Sequence, residues 1–232
     1  MNQKVSIIIP CFNEKNTIKE LVNRVKMQSG FEKEIILVDD CSTDGTREIL
    51  NEKINEKVDK ILFNNSNKGK GFSIRKGISA SSGNIILIQD ADLEYDPTEY
   101  TKLLNPILQD TADVVYGSRF VGSQEKRVLY FWHSVGNYFL TFLSNVFSNL
   151  NLSDMECCYK VFKTDILKKI ELKEDRFGFE PEVTAKIAKV KNIRIYEVGV
   201  KYFGRKYSEG KKITWKDGFS AIRCIIKYNL LK

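Results

Sequence analysis

Two patterns of apolar residues take turns along the first half of the chain. Runs rich in β-branched residues, VSIIIP at 5–10, EIILVDD at 34–40, KILFN at 60–64, NIILIQD at 84–90 and DVVYGS at 113–118, show little polar alternation. Such runs predict strands buried on both faces. Between them, TIKELVNRVKM at 17–27, TREILNEK at 46–53, GFSIRKGISA at 71–80 and PTEYTKLLNPIL at 97–108 place apolar residues three or four apart, as helices packed by one face do. Strand and helix in repeated alternation predict βαβ units and a mostly parallel sheet, an α/β fold.

The second half is less regular. Residues 128–153, VLYFWHSVGNYFLTFLSNVFSNLNLS, contain no Asp, Glu, Lys or Arg. Ser134, Asn137, Thr141, Asn145 and Ser148 recur three or four positions apart and mark one polar stripe on a helix over about 128–150, whose remaining surface is aromatic and aliphatic. A helix of this kind is expected to bury a broad face, against the core, against a second copy in a homodimer, or in lipid. Residues 218–232, GFSAIRCIIKYNLLK, add a basic amphipathic end of the type that lies on an anionic bilayer.

At 232 residues, with 42% hydrophobic and 29% charged side chains and no fixed-period repeat, the chain predicts one folded domain over 1–232. A net charge of +7 and a pI of about 9.0 favour anionic partners: phosphates, nucleotides or an acidic membrane face. No recognised nucleic-acid motif accompanies the charge, so nucleic acid is not an expected partner. Cys11, Cys41, Cys157, Cys158 and Cys224 form an odd set without C-x-x-C pairs, which argues against a disulfide framework or a zinc knuckle and suits a reducing compartment. Cys157 and Cys158 lack a neighbouring base that would activate a thiol. MNQKVSIIIP lacks a secretory signal pattern, and no run reaches the roughly 18 to 20 apolar residues of a membrane span. The expected location is cytoplasmic, peripheral to a membrane face.

Open α/β sheets bind ligands beyond the carboxyl ends of their strands. Residues 10–14, 39–44, 67–71 and 90–94 fall at those ends. Neither G-x-G-x-x-G after the first strand nor G-x-x-x-x-G-K-[ST] is present, which sets aside dinucleotide-binding dehydrogenases and P-loop proteins. NKGKG at 67–71 resembles a phosphate loop weakly and reads equally as a turn before a helix with Lys68 and Lys70 in solvent. ILIQDADLEYDP at 86–97 is the unusual stretch, an apolar run ending in Asp90, Asp92, Glu94 and Asp96. Asp96 before Pro97 reads as a helix cap. Charges directly after a buried strand need compensation, and if the extended geometry persists, Asp90 and Asp92 point to one side and suit a hard divalent cation.

With these motifs in order, the chain resembles the family 2 glycosyltransferases of the GT-A fold, and among them the polyprenyl-phosphate glycosyltransferases of the dolichyl-phosphate mannose synthase type. IIIPCFNE looks like the family's opening strand and loop, VDDCSTDGT like its nucleotide-binding turn and DAD like its metal-binding D-x-D, with GSRF, DMECCYKVF and GRKYSEGKK following in the expected order. The resemblance implies a nucleotide-binding half over about 1–117 and an acceptor half over about 118–232. Pro10, Phe12, Asn13 and Glu14 are then expected around the nucleoside, Asp40 with Asp39 beside it at the base or ribose, and Lys70, Asp90 and Ala91 among the nucleotide contacts. Asp90 and Asp92, with Glu94 as a further contact, would hold Mg²⁺ or Mn²⁺. Arg205 and Lys211 would clamp the diphosphate, from a loop whose glycines and cations allow it to close over a nucleotide.

Arg119, Arg127, His133 and Asn137 are the acceptor candidates, although the mannose synthases typically place arginine and serine where His133 and Asn137 stand. Asp154 matches the acidic position of the acceptor motif. A hydroxyl acceptor would need it as a base, whereas a phosphate monoester, with a second pKa near 6, needs none. Asp92, Asp154 and Arg205 are thus the catalytic candidates, and Glu180 and Glu182 in FGFEPE are possible sugar contacts or acidic residues at a helix start. The implied activity is inverting transfer of a hexose from a UDP- or GDP-sugar to a polyprenyl phosphate. Transfer to a glycan hydroxyl, or a non-catalytic module that binds sugar nucleotides or membranes, are the alternatives.

Overall fold

A computed structural model describes residues 3–122, 127, 128, 130–205 and 215–230, without the side chains of Trp215 and Lys216. Its centre is a seven-stranded sheet of β1 (Lys4–Cys11), β2 (Glu32–Asp39), β3 (Lys60–Phe63), β4 (Ile85–Ile88), β5 (Val114–Ser118), β6 (Lys160–Lys163) and β7 (Ile195–Gly199) in the order β3-β2-β1-β4-β6-β5-β7. Every pairing is parallel except those of β6, which runs antiparallel to β4 and β5. The expected mostly parallel α/β sheet is therefore present, with one reversed strand inserted from the second half. Val5, Ile7, Ile8 and Ile9 of β1 and all of β4 are buried, as runs without polar alternation require.

Helices cover both faces: α1 (Ile18–Met27), α2 (Thr46–Ile49), α3 (Lys70–Ala80), α4 (Tyr100–Leu108), α5 (Phe131–Ser148), α6 (Thr164–Leu167), α7 (Phe179–Ile187) and α8 (Trp215–Leu230). In α1 the spacing of Ile18, Leu21, Val22 and Val25 puts four apolar side chains on the sheet. The segment read as one helix over 46–53 starts as α2, then widens to a π turn over Leu50–Ile54 and tightens to a 3-10 turn over Asn55–Lys57. Asp96 caps the turn at Pro97, its Oδ1 accepting from the Thr98 N–H at 3.0 Å.

α5 narrows an expectation: of core, second copy and lipid, only the core is set aside for its aromatic side. Its polar stripe, not its aromatic surface, faces the protein. Thr141 and Ser144 are its buried residues, Asn145 exchanges hydrogen bonds with the Leu152 main chain at 2.7 and 3.0 Å, and Thr141 Oγ1 accepts from the Met155 N–H at 3.2 Å. Leu140, Leu143 and Phe147 add a half-buried apolar edge, while Trp132 is 78% and Phe142 65% exposed. The inversion has a local cause: the loop after α5 carries main-chain groups that need partners, and the stripe of Asn and Thr supplies them.

Candidate active site

A cavity of about 740 Å³ opens along the carboxyl ends of the strands, running from Pro10, Phe12 and Glu14 past Asp90, Ala91 and Asp92 to Arg119, His133 and Asn137. At its centre three carboxylates face one guanidinium. Arg205 lies 2.8 Å from Glu14, 3.2 Å from Asp92 and 3.8 Å from Glu94, and its main-chain N–H donates to Glu94 at 2.7 Å. Tyr202 donates its hydroxyl to Glu94 at 2.8 Å, so the turn after β4 and the strand-like segment before Arg205 are pinned together. Burial, then the charges of Asp90 and Glu94, push the Asp92 carboxyl up to about 7, although Arg205 opposes the shift.

The two carboxylates expected to share one ligand meet different cations. β4 ends at Ile88 and a turn follows at 91–92, so extended geometry stops before Asp92, yet the two carboxylates stay close enough for the Asp90 charge to raise the Asp92 carboxyl. Asp90 pairs with Lys70 at 3.0 Å, and Lys70 also reaches Glu180 at 2.9 Å. Lys70 is therefore inside the cavity wall, not in solvent as a simple surface turn would have it. Buried Gln89 holds the turn from behind, accepting from Tyr100 and Tyr159 at 2.7 Å each and donating to the Asp90 carbonyl at 2.9 Å.

The NKGKG glycines have a packing reason. A Cβ on Gly69 would lie 2.5 Å from the Asp175 carbonyl oxygen, and one on Gly71 2.3 Å from that of Glu174, so only glycine lets this loop meet the 174–176 segment. Asp40 fixes the same loop, accepting from the N–H of Lys68 at 2.8 Å, that of Gly69 at 2.7 Å and Asn64 at 2.8 Å. Asp39 is fully buried behind it, with Arg47 at 2.6 Å. Asn13, at φ +51°, accepts with its side-chain Oδ1 from the Thr43 N–H at 2.8 Å. Asp40 reaches the cavity wall, whereas Asp39 and Asn13 shape the loops around it.

At the other end Arg119 grips Asp154 with two parallel bonds of 2.7 Å, and Asn137 joins both, accepting from Arg119 at 2.8 Å and donating to Asp154 at 3.2 Å. Asp154 is 0% exposed. Lys160, also fully buried, donates to the carbonyls of Met155 and Cys157 and lies over the Tyr116 ring at 4.9 Å, which fixes the 154–158 turn from inside. His133 lines the cavity, while Arg127 ties back to the Gly204 carbonyl at 2.6 Å. Lys211 lies outside the described residues. Glu182 is buried in α7, accepting from the main chain of Lys173 and Glu174 at 2.8 and 2.7 Å, and does not line the cavity.

The sequence reading overlooked Glu156, which lines the cavity. Burial, then the charge of Glu180, push its carboxyl up to about 8, and its Oε1 has no hydrogen-bond partner. Its signal was available: Glu156 stands two residues after Asp154, the same spacing as Asp90 and Asp92.

Among the described residues no group of three or more His, Cys, Asp or Glu side chains is arranged to hold a metal. The donor set nevertheless fits a hard divalent cation, because Asp90, Asp92 and Glu94 offer only oxygen and the carboxylates around Arg205 outnumber its single charge.

An open, mostly parallel α/β sheet with a long acidic cleft at its carboxyl edge defines a class, the GT-A proteins. The chain belongs to glycosyl transferase family 2, whose profile matches residues 6–171. The UDP-N-acetylglucosamine–dolichyl-phosphate N-acetylglucosaminyltransferase of Methanococcus voltae is 28% identical over 233 residues, 93% of this chain and 92% of that relative. The dolichol-phosphate mannosyltransferase of Pyrococcus furiosus is 34% identical over 119 residues, 51% of this chain and 34% of that longer enzyme. Among solved structures, glucosyl-3-phosphoglycerate synthase of Mycobacterium tuberculosis, in complex with Mn²⁺, UDP and phosphoglyceric acid, matches with a TM-score of 0.76 at 16% identity, covering 99% of this chain and 80% of its own, a likeness of fold.

Proposed function

We propose that the protein is a metal-dependent, inverting glycosyltransferase that moves a hexose from a nucleotide-diphosphate sugar to a polyprenyl phosphate at the cytoplasmic face of a membrane. The observation that carries this reading is the continuity of one cavity from the carboxylates around Arg205 to Arg119, His133 and Asn137, with the exposed aromatic side of α5 beside its far end. Relatives named for dolichyl-phosphate acceptors support the acceptor class.

Asp90, Asp92 and Glu94 would hold Mg²⁺ or Mn²⁺, which supplies charge to a departing diphosphate. Arg205, now bound to Glu14 and Asp92, would turn to the same diphosphate as its carboxylate partners bind the cation. At the acceptor end, Arg119 and His133 line the cavity and could donate to a phosphate, Arg119 by giving up part of its pairing with Asp154. A phosphate dianion attacks C1 without a base, while a hydroxyl needs one, and both oxygens of Asp154, the acid of the acceptor motif, are engaged by Arg119. The phosphate oxygen forms the new bond to C1 as the C1–O bond to the diphosphate breaks, which inverts the anomeric centre.

No described helix is long and apolar enough to cross a membrane, so the lipid would be met from the surface, through α5. The test is transfer from radiolabelled UDP- and GDP-hexoses to polyprenyl phosphate in vesicles with Mn²⁺. Asp92→Ala or chelation is expected to lower turnover by about a hundredfold or more, roughly 3 kcal/mol of barrier. Turnover that persists in both, or product only on free glycan hydroxyls, overturns the reading.

A further inference from the structure

Between the carboxylates at Arg205 and the acceptor end, two carboxyl groups are left incomplete. Glu180, near the start of α7, gives one oxygen to Lys70 at 2.9 Å, its side chain is 5% exposed, and its Oε2 has no partner. Glu156 reaches the same cavity from the 154–158 turn, and its Oε1 is likewise unpartnered. Arg176 also lines the cavity, and three other described cations nearby are committed. Lys70 is shared with Asp90 at 3.0 Å, Lys160 donates to the carbonyls of Met155 and Cys157, and Arg119 is engaged on Asp154.

A buried acceptor without a donor costs about 1–3 kcal/mol, and an unpaired charge more, so this arrangement implies a ligand that brings donors. Two carboxyl groups side by side disfavour phosphate here. Hydroxyl groups satisfy carboxylate oxygens without adding negative charge, and the position lies between the diphosphate and acceptor ends, where the transferred group must sit. We propose, resting on the glycosyltransferase reading, that Glu156 and Glu180 form the subsite for the transferred sugar and select an uncharged hexose over a uronic acid. Burial first, then the charge of Glu180, raise the Glu156 carboxyl, and a sugar carboxylate placed beside it would meet the same two costs.

Calorimetry on the full chain with Mn²⁺ tests this, using UDP, GDP and the matched pairs UDP-glucose with UDP-glucuronate and GDP-mannose with GDP-mannuronate. The hexose conjugate of the preferred base is expected to bind at least about tenfold tighter than its uronate partner. Glu156→Gln should narrow that gap at least threefold and leave bare UDP or GDP binding within twofold, and Glu180→Gln should narrow it as well. Equal or tighter binding of the uronate, or a gap unchanged in both variants while UDP or GDP still binds, overturns the subsite alone. Binding of neither UDP nor GDP overturns the glycosyltransferase reading, and the subsite with it.

Discussion

Asp40 and Asp154 are both buried carboxylates at one cleft, and they are held in opposite ways. Asp40 is fixed mainly by the main-chain N–H groups of Lys68 and Gly69, with the Asn64 side chain as a third donor. Asp154 is fixed mainly by side chains, Arg119 after β5 and Asn137 on α5, with one main-chain donor, the Arg119 N–H at 3.0 Å. Of these two carboxylates, the first is thus held mainly by backbone geometry and the second mainly by side-chain choices. A fold built this way keeps one end constant while the other changes its ligand.

The largest effect expected from this contrast is at Asp154. Asp154→Ala leaves the guanidinium of Arg119, 14% exposed, without its partner and should cost about 4 kcal/mol in urea unfolding. Because all but one of the donors to Asp154 are side-chain groups, the double variant Arg119→Met, Asp154→Leu should recover most of that loss, with only the main-chain N–H of residue 119 left unpartnered. Asp40→Ala removes the acceptor of two main-chain donors and Asn64, at about 3 kcal/mol, and no second substitution can withdraw the main-chain N–H groups. Recovery at Asp154 without recovery at Asp40 sharpens the comparison; equal recovery breaks it.

The same contrast explains what could be read from the chain. The runs at 5–10, 34–40 and 84–90 carry their burial in their composition, so β1, β2 and β4 and the acidic turn after β4 were legible. Lys70 was not, because its neighbours Asp90 and Glu180 lie 20 and 110 positions away and only the fold brings them together. β6 was hidden by its length, four residues of YKVFK, and its reversal depends on insertion between β4 and β5. The facing of α5 was ambiguous in principle, since a polar stripe on an apolar helix looks the same whether the stripe meets water or a loop in need of partners.

Acid should expose the tight pairing beneath the first half. Glu34, buried on β2 at the edge of the sheet away from the cleft, meets Lys60 at 2.8 Å, Ser6 at 2.7 Å and the Ser82 N–H at 2.8 Å. Burial alone would raise its carboxyl, but these partners outweigh it and hold it near 2, against an ordinary value of 4.5. A depressed carboxyl contributes stability that is complete above about pH 4.5 and is lost as pH falls toward 2. The loss should be about 2 kcal/mol between pH 6 and pH 2, read from urea midpoints, and Glu34→Gln should flatten that part of the profile.

The smallest stability effect should fall on α5, where adjacent residues separate folding from binding. Leu143 packs on the core edge, whereas its neighbour Phe142 is 65% exposed and Phe139, three residues before it, 53%. Leu143→Ser should cost about 2 kcal/mol of stability. Phe139→Ser and Phe142→Ser should each change it by no more than about 0.5 kcal/mol. If the outward face meets lipid, half-burial of one Phe ring is worth about 1.4 kcal/mol, so each substitution should lower partition into phosphatidylserine-containing vesicles about tenfold. Unchanged partition in both variants would leave the aromatic face without a membrane role. Loss of stability beyond 1 kcal/mol would mean that this side of α5 is packed in solution, and that the second half of the cleft is more rigid than its side-chain construction implies.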